Sequence, residues 1–223
     1  ITLDTSNLPI TWQKLTDVIT VTEAADERAP QLHIGRANNR LTGGYVKSGD
    51  VESGFEAADV VMEGTFTTGF IEHAYIEPEA GFARRVGDRI EVWACTQAPY
   101  MDRNSLAEIM GISKNQIRII PSSVGGGFGS KLDLSLQPFV AIAAWHLKRP
   151  VKMVYSRAES MLSTTKRHPS SIQSMIGASK DGKITAMTFV GMFNTGAYAS
   201  SGPTVANQSL IHNRRSRRIE RCR

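Results

Sequence analysis

Apolar and polar positions alternate with a two-residue period over residues 60–67 and again over 89–96, the second run following the Gly87-Asp88 turn. Both read as half-buried strands. Shorter strand-like runs lie at 18–21, 116–120 and 151–155. Residues 173–178 and 184–193 flank Asp181-Gly182, a hairpin signal. Helical patterns lie between these runs. Residues 23–28 form a short one ahead of Pro30, and residues 51–58 another, capped by Asp50. Residues 101–110 place Leu106, Ile109 and Met110 on one side and stop at Gly111. The clearest pattern is 133–147, with Asp133 as its cap. Leu136, Phe139, Val140, Ile142, Ala143 and Trp145 cover much of its circumference, so it is expected to be buried. Pro138 requires a kink or a later start, and Pro150 ends the helix. Residues 70–73 read as a loop, and the polar, Gly-rich stretch 36–46 as a boundary. Strands alternating with helices, plus one hairpin, argue an α+β fold of mixed sheets with packed helices.

Composition narrows the class. The 223 residues are 41% hydrophobic and 21% charged, as in a soluble globular protein. No run of about eighteen apolar residues occurs, so no membrane span or membrane partner is expected. The first residues, Ile1-Thr2-Leu3-Asp4, carry no basic region followed by an apolar core, and a cytoplasmic location is expected. Cys95 and Cys222 are far apart and in no Cys-x-x-Cys pair, which argues against zinc or iron–sulfur ligation by this chain alone. Cys95 is expected as a small buried hydrophobe in a strand. The net charge of +5 comes from the arginine-rich end, Arg214 to Arg223; the rest is balanced. A terminal charge run is no distributed nucleic-acid face, so nucleic acid is disfavoured as a partner. Residues 209–223 lack periodicity and are expected to be a disordered basic tail, the product of a shifted reading frame or a truncated gene.

The densest chemical signal is Val124-Gly125-Gly126-Gly127-Phe128-Gly129-Ser130-Lys131, between a strand-like run and a helix-like run. Successive glycines permit close backbone approach. A strand, a Gly-rich turn and a helix start offer N–H groups to a phosphate or oxo group. The segment is not a P-loop, because Ser130 precedes Lys131 and Leu132 follows it. Nor is it a dinucleotide fingerprint, because the glycines fall at 125, 127 and 129. A tight bend at a sheet edge would use the same residues.

A second segment, Trp93-Ala94-Cys95-Thr96-Gln97-Ala98-Pro99, lies upstream, and Arg167-His168-Pro169 follows. With the glycine loop, these resemble the molybdopterin-binding subunit of the xanthine dehydrogenase and aldehyde oxidase family. Glu72-His73-Ala74-Tyr75-Ile76-Glu77-Pro78-Glu79 and Lys47-Ser48-Gly49-Asp50-Val51 add to the resemblance, which runs from about Val21 to Asn207 in one order. It implies a tail of a small hammerhead-like α/β domain and linker at 1–45, and the first part of a molybdopterin-binding domain at 46–208.

The resemblance also implies roles. Gln97 is the amide that approaches the metal's apical oxo ligand. Gly126, Gly127, Phe128 and Gly129 form the loop that meets the oxo group and the pterin through backbone N–H, with Phe128 also walling the substrate pocket. No side chain ligates molybdenum directly, since the cofactor's dithiolene holds it. Leu132 stands where xanthine-specific members carry a purine-binding glutamate, which puts a purine substrate in doubt. Glu72, His73, Glu77 and Glu79, around Tyr75, are acid–base candidates on residue type alone; the resemblance makes them structural, and His168 likewise. The implied cofactor is a molybdenum–pterin, with a cytosine dinucleotide form among those allowed. Iron–sulfur (2Fe–2S) and FAD groups belong on other domains or subunits. The implied reaction is hydroxylation of aldehydes or N-heterocycles with water as oxygen source. The general-base glutamate is expected outside this chain, so no catalytic residue is assigned within it. The partners are then the remainder of the large subunit, or a complementary subunit, together with the small-molecule substrate. A basic-tailed binding module without enzymatic activity is the alternative.

Overall fold

The computed structural model describes residues 9 and 11–205. The 209–223 tail, Arg214 to Arg223 and Cys222 lie outside the described residues. Short helices α1 (Val21–Ala25) and α2 (Val51–Glu56) precede strand β1 (Val60–Thr68). Then come β2 (Ala80–Val86), β3 (Arg89–Ala94), α3 (Pro99–Met110), β4 (Ile117–Pro121), α4 (Gln137–Leu147), β5 (Val151–Val154), α5 (Arg157–Ser163), β6 (Ser170–Ala178) and β7 (Ile184–Phe193).

Two compact units result. One joins the described residues up to Thr67 with those from Ser170 onward; the other is Thr68–Pro169. In the first, β1, β6 and β7 form a sheet in that order. The β6–β7 hairpin pairs Ser170 with Phe193 and turns through Gly182, at φ 81°. In its helix α2, Asp50 accepts hydrogen bonds from the N–H groups of Glu52 and Ser53.

The second unit holds a four-stranded sheet in the order β4-β3-β2-β5. Only β3 and β4 run parallel; the helix between them, α3, makes the crossover that parallel strands require. Pro99 occupies its first turn and Gly111 ends it at φ 63°. The core lies between this sheet and the two helices. Ala83, Ile90 and Val92 from the strands meet Leu106 and Ala107 of α3 and Val140, Ala141 and Ala144 of α4.

Several local expectations need correction. Residues 18–21 form no strand: Thr20 and Glu23 make a reciprocal capping box, so Val21 opens α1. That helix ends at Ala25, because Asp26 is extended and turns its carboxylate to Arg28. Asp133 caps no helix. It closes a 3-10 turn over Ser130–Leu132, and α4 starts at Gln137 with Pro138 in its first turn, where the missing N–H costs nothing. The α4 helix buries one face, Gln137, Val140, Ala141 and Ala144, while Phe139 is 59% exposed. Cys95 is buried as expected, one residue beyond the end of β3.

Candidate functional site

The sheet register explains why distant motifs meet. Ala94 of β3 pairs with Pro121 of β4, so both parallel strands leave the sheet at the same end. Gln97 follows the first and the glycine loop follows the second. Gly81 of β2 also pairs with Ala94, and Ala80 pairs with Val154 of β5. Residues 72–79, which lead into β2, and residues 155–157, which leave β5, therefore arrive at that end too. Crevices outside the carboxyl ends of strands are the usual ligand sites of such sheets.

At this end the Gln97 side-chain oxygen accepts a hydrogen bond from Gly129 N–H at 3.1 Å. That fixes the amide and leaves its NH2 without a protein acceptor among the described residues. Gly127 packs directly on it: a Cβ there would lie 2.4 Å from Gln97 Oε1. Gly126 (φ 98°) and Gly129 (φ 95°) adopt conformations that favour glycine, and Phe128 shares the region at φ 52°. Phe128 is 74% exposed. The N–H groups of Gly126, Gly127 and Phe128 meet no protein acceptor among the described residues. Leu132, half-buried, closes the 3-10 turn beneath. The loop's donors thus belong to the turn itself; α4 begins well downstream and does not supply them.

The 72–79 segment is the loop's support. Gly125 N–H donates to Glu77 Oε2 at 2.7 Å, and Lys131 Nζ donates to the same oxygen at 2.8 Å. Burial works to raise the Glu77 carboxyl, but Lys131 and the Gly125 N–H outweigh it and hold the group below the ordinary carboxylate range. Tyr75 and Glu79 are both 1% exposed, and the Tyr75 hydroxyl donates to Glu79. Burial, then the Glu79 partner, raise the Tyr75 phenol further.

Glu72 and His73 do not form a pair. Glu72 binds Lys166 at 2.6 Å, while His73 Nδ1 is buried without a hydrogen bond among the described residues. Arg167 N–H donates to Ile71 O at 3.0 Å, and burial lowers the His168 pKa, so that ring is neutral at neutral pH. Among the described residues no group of three or more His, Cys, Asp or Glu could hold a metal ion. The groups gathered at this end are neutral N–H donors, which hydrogen-bond oxo or phosphate oxygens.

The molybdopterin cofactor-binding domain family model matches residues 32–223. The chain belongs to this family. It is 37% identical over 206 residues to the nicotinate dehydrogenase large molybdopterin subunit of Eubacterium barkeri, covering 92% of this chain and 48% of that one. The xanthine dehydrogenase molybdenum-binding subunit of Escherichia coli O157:H7 is 32% identical over 200 residues, covering 89% and 26%. The fold is similar to that of the aldehyde oxidoreductase of Desulfovibrio gigas, with a TM-score of 0.76 and 28% identity over 86% of this chain and 21% of that one. The chain thus spans about half the length, or less, of the relatives it matches. The mixed α+β architecture expected from the sequence is that of the molybdopterin-binding part of these oxidoreductases. No helix among the described residues is long and apolar enough to cross a membrane.

Proposed function

We propose that Gln97, Gly126, Gly127, Phe128 and Gly129 form this chain's share of a molybdenum–pterin site, in an oxidoreductase that hydroxylates aldehydes or N-heterocycles with water as oxygen source. One observation carries the reading: an amide NH2 and three backbone N–H groups, all without protein acceptors among the described residues, gather at the shared end of two parallel strands. Bound there, the cofactor supplies the redox centre and the Lewis acid. Gln97 donates toward the oxo group without adding charge, and its orientation is set by Gly129. Gly127 lets the backbone approach, because any Cβ would displace the Gln97 amide. The exposed Phe128 ring walls the substrate space, and Leu132 makes it apolar. An uncharged aldehyde or heterocycle fits this lining better than a purine, whose ring nitrogens and oxo groups call for polar partners.

The same reading assigns the general-base glutamate, and the 2Fe–2S and FAD groups, to further chain or other subunits of a cytoplasmic enzyme, and it leaves the cytosine dinucleotide among the forms of the pterin allowed. The domain division proposed is the tail of a small hammerhead-like α/β domain and linker over residues 1–45, and the first part of a molybdopterin-binding domain over residues 46–208. The activity belongs to that larger assembly, given the coverage of the relatives.

Metal analysis and turnover in oxygen-labelled water test the reading. The assembled enzyme should hold about one molybdenum per site and place label in the product; an assembly without molybdenum-pterin sinks it. The 223 residues alone should hold little molybdenum and turn nothing over. Stoichiometric metal with turnover in the isolated chain would show that it needs no partner.

A further inference from the structure

The geometry points to Glu77 and Lys131 as positioning residues that clamp both ends of the glycine loop and keep its three central N–H groups available; this rests on the loop being the cofactor's seat. The Lys131 ammonium is an unusual find beneath a loop, since the residue is only 3% exposed. A buried charge is costly unless it is paired and hydrogen-bonded. Lys131 Nζ has three partners: Glu77 Oε2 at 2.8 Å, Glu77 O at 3.1 Å, and the Tyr75 ring with its centroid at 4.5 Å.

Each of these contacts feeds into the loop. Glu77 Oε2 also accepts from Gly125 N–H at 2.7 Å, and Glu77 N–H donates to Gly125 O at 3.3 Å. That pins the loop's entry. At its exit the Lys131 carbonyl accepts from Gln97 N–H at 2.9 Å, and Gln97 Oε1 accepts from Gly129 N–H at 3.1 Å. The circuit Gly125, Glu77, Lys131, Gln97, Gly129 closes around Gly126, Gly127 and Phe128. From α5, Arg157 braces the 72–79 loop of this circuit, donating to Tyr75 O at 2.8 Å and Ile76 O at 2.5 Å.

A buried ion pair adds little net stability over apolar residues of the same size. Glycine-rich backbone, by contrast, has the most conformational freedom to lose. The pair's return is therefore in holding that backbone, and a donor set fixed before the ligand arrives binds more tightly. Removing the clamp should loosen the loop and the cofactor together, and with the loop the Phe128 wall.

The test uses the assembled enzyme with Lys131→Met, Glu77→Gln and Glu77→Asp. Hydrogen exchange over residues 124–131 is followed beside molybdenum content, kcat per bound molybdenum and KM. In Lys131→Met, exchange in that segment should rise about tenfold with other segments unchanged. Cofactor affinity should fall by about 10- to 100-fold, as when other supporting partners of a metal site are lost. The kcat per molybdenum should fall, and KM should rise with it, because Phe128 lies in the loosened loop. Glu77→Gln keeps an oxygen for Gly125 N–H but leaves the buried Lys131 without its counter-charge, so it should loosen the loop at least as much as Lys131→Met, while Glu77→Asp keeps the charge and should fall between wild type and these two. If Lys131→Met does not fold, the two Glu77 variants decide the matter. Wild-type exchange over 124–131 in the variants overturns the clamp, and so does a loosened loop that keeps its cofactor and its turnover. Absence of molybdenum-pterin from the wild-type assembly would instead defeat the proposed function, and the exchange comparison would still decide whether the clamp exists.

Discussion

Gly127→Ala is the sharpest test of how the loop and Gln97 depend on each other. The φ of Gly127 is not in the positive region, so the backbone accepts an L residue. The cost is contact. The new Cβ would lie 2.4 Å from Gln97 Oε1, 2.7 Å from Cδ and 3.2 Å from Cγ. Gln97 must move, and in moving it loses the hydrogen bond from Gly129. One lost hydrogen bond costs about 0.5–1.5 kcal/mol and an off-rotamer side chain a similar amount. The fold should therefore lose only about 1–3 kcal/mol, a modest drop in melting temperature. The effect on chemistry should be larger. A donor removed from a site of developing negative charge costs about 2.7–4 kcal/mol, or 10²–10³ in kcat. Gly129→Ala is the control: its φ of 95° strains a side chain, but nothing lies within 4 Å of the added carbon. The assay is kcat per bound molybdenum in the assembled enzyme, with thermal melts and metal content in parallel. Gly127→Ala with wild-type kcat and full metal content would refute the idea that this contact places the Gln97 amide.

Other perturbations test the frame around the site. Leu136→Ala should cost about 2–5 kcal/mol in chemical denaturation, because Leu136 is 1% exposed and fills the space over Gly81, where a Cβ would lie 2.2 Å from its Cδ1. Asp102 is 1% exposed, and burial raises its carboxyl pKa; the Asp133 charge adds to this, while hydrogen bonds from Thr96 and Gln137 oppose it. Its folded value thus exceeds the unfolded value of about 3.9, the folded state binds more proton, and stability should fall as pH rises from about 4 through the raised value. Asp102→Asn should abolish that slope in denaturation midpoints measured against pH; an unchanged slope assigns it to other groups. Phe128→Ala should leave the melting temperature within a degree or two, about what an exposed side chain contributes, while changing KM and the preference among aldehydes and heterocycles. Equal selectivity in the variant would remove the ring from the substrate wall.

The elements that could be read from the sequence carry their signal locally. The 184–193 run alternates and follows Asp181-Gly182, and the 101–110 pattern stops at Gly111; the structure forms β7 and α3 there. Strand β2 was not foreseen. Ala80-Gly81-Phe82-Ala83-Arg84-Arg85-Val86 holds one β-branched residue, and it is a strand because β3 and β5 pair with it on both sides. Helix α5 has no strong apolar period, and its signal in the sequence is the capping box of Ser156 and Glu159. The same box at Thr20 and Glu23 prevails over the β-branched run 18–21. In both places a pair of polar residues three apart outweighs the apolar residues around it, because it satisfies N–H groups that a short helix cannot satisfy itself.

At the site, the legible part was what glycine does and the hidden part was what holds glycine still. Three successive glycines announce close backbone approach whatever the fold around them. Which carboxylate and which ammonium support them depends on contacts across 48 and 54 residues. Those contacts follow only from the register that sets Ala94 beside Pro121 and Gly81. The sequence suggested two roles for Glu77, acid–base chemistry or structure, and the geometry separates them. Its oxygen is occupied by a backbone N–H and by a buried ammonium, both of which favour the ionised form. A group held so firmly as an anion is a poor proton donor at neutral pH and a weak base. It is an effective anchor, because releasing Lys131 would leave a buried ammonium unmatched.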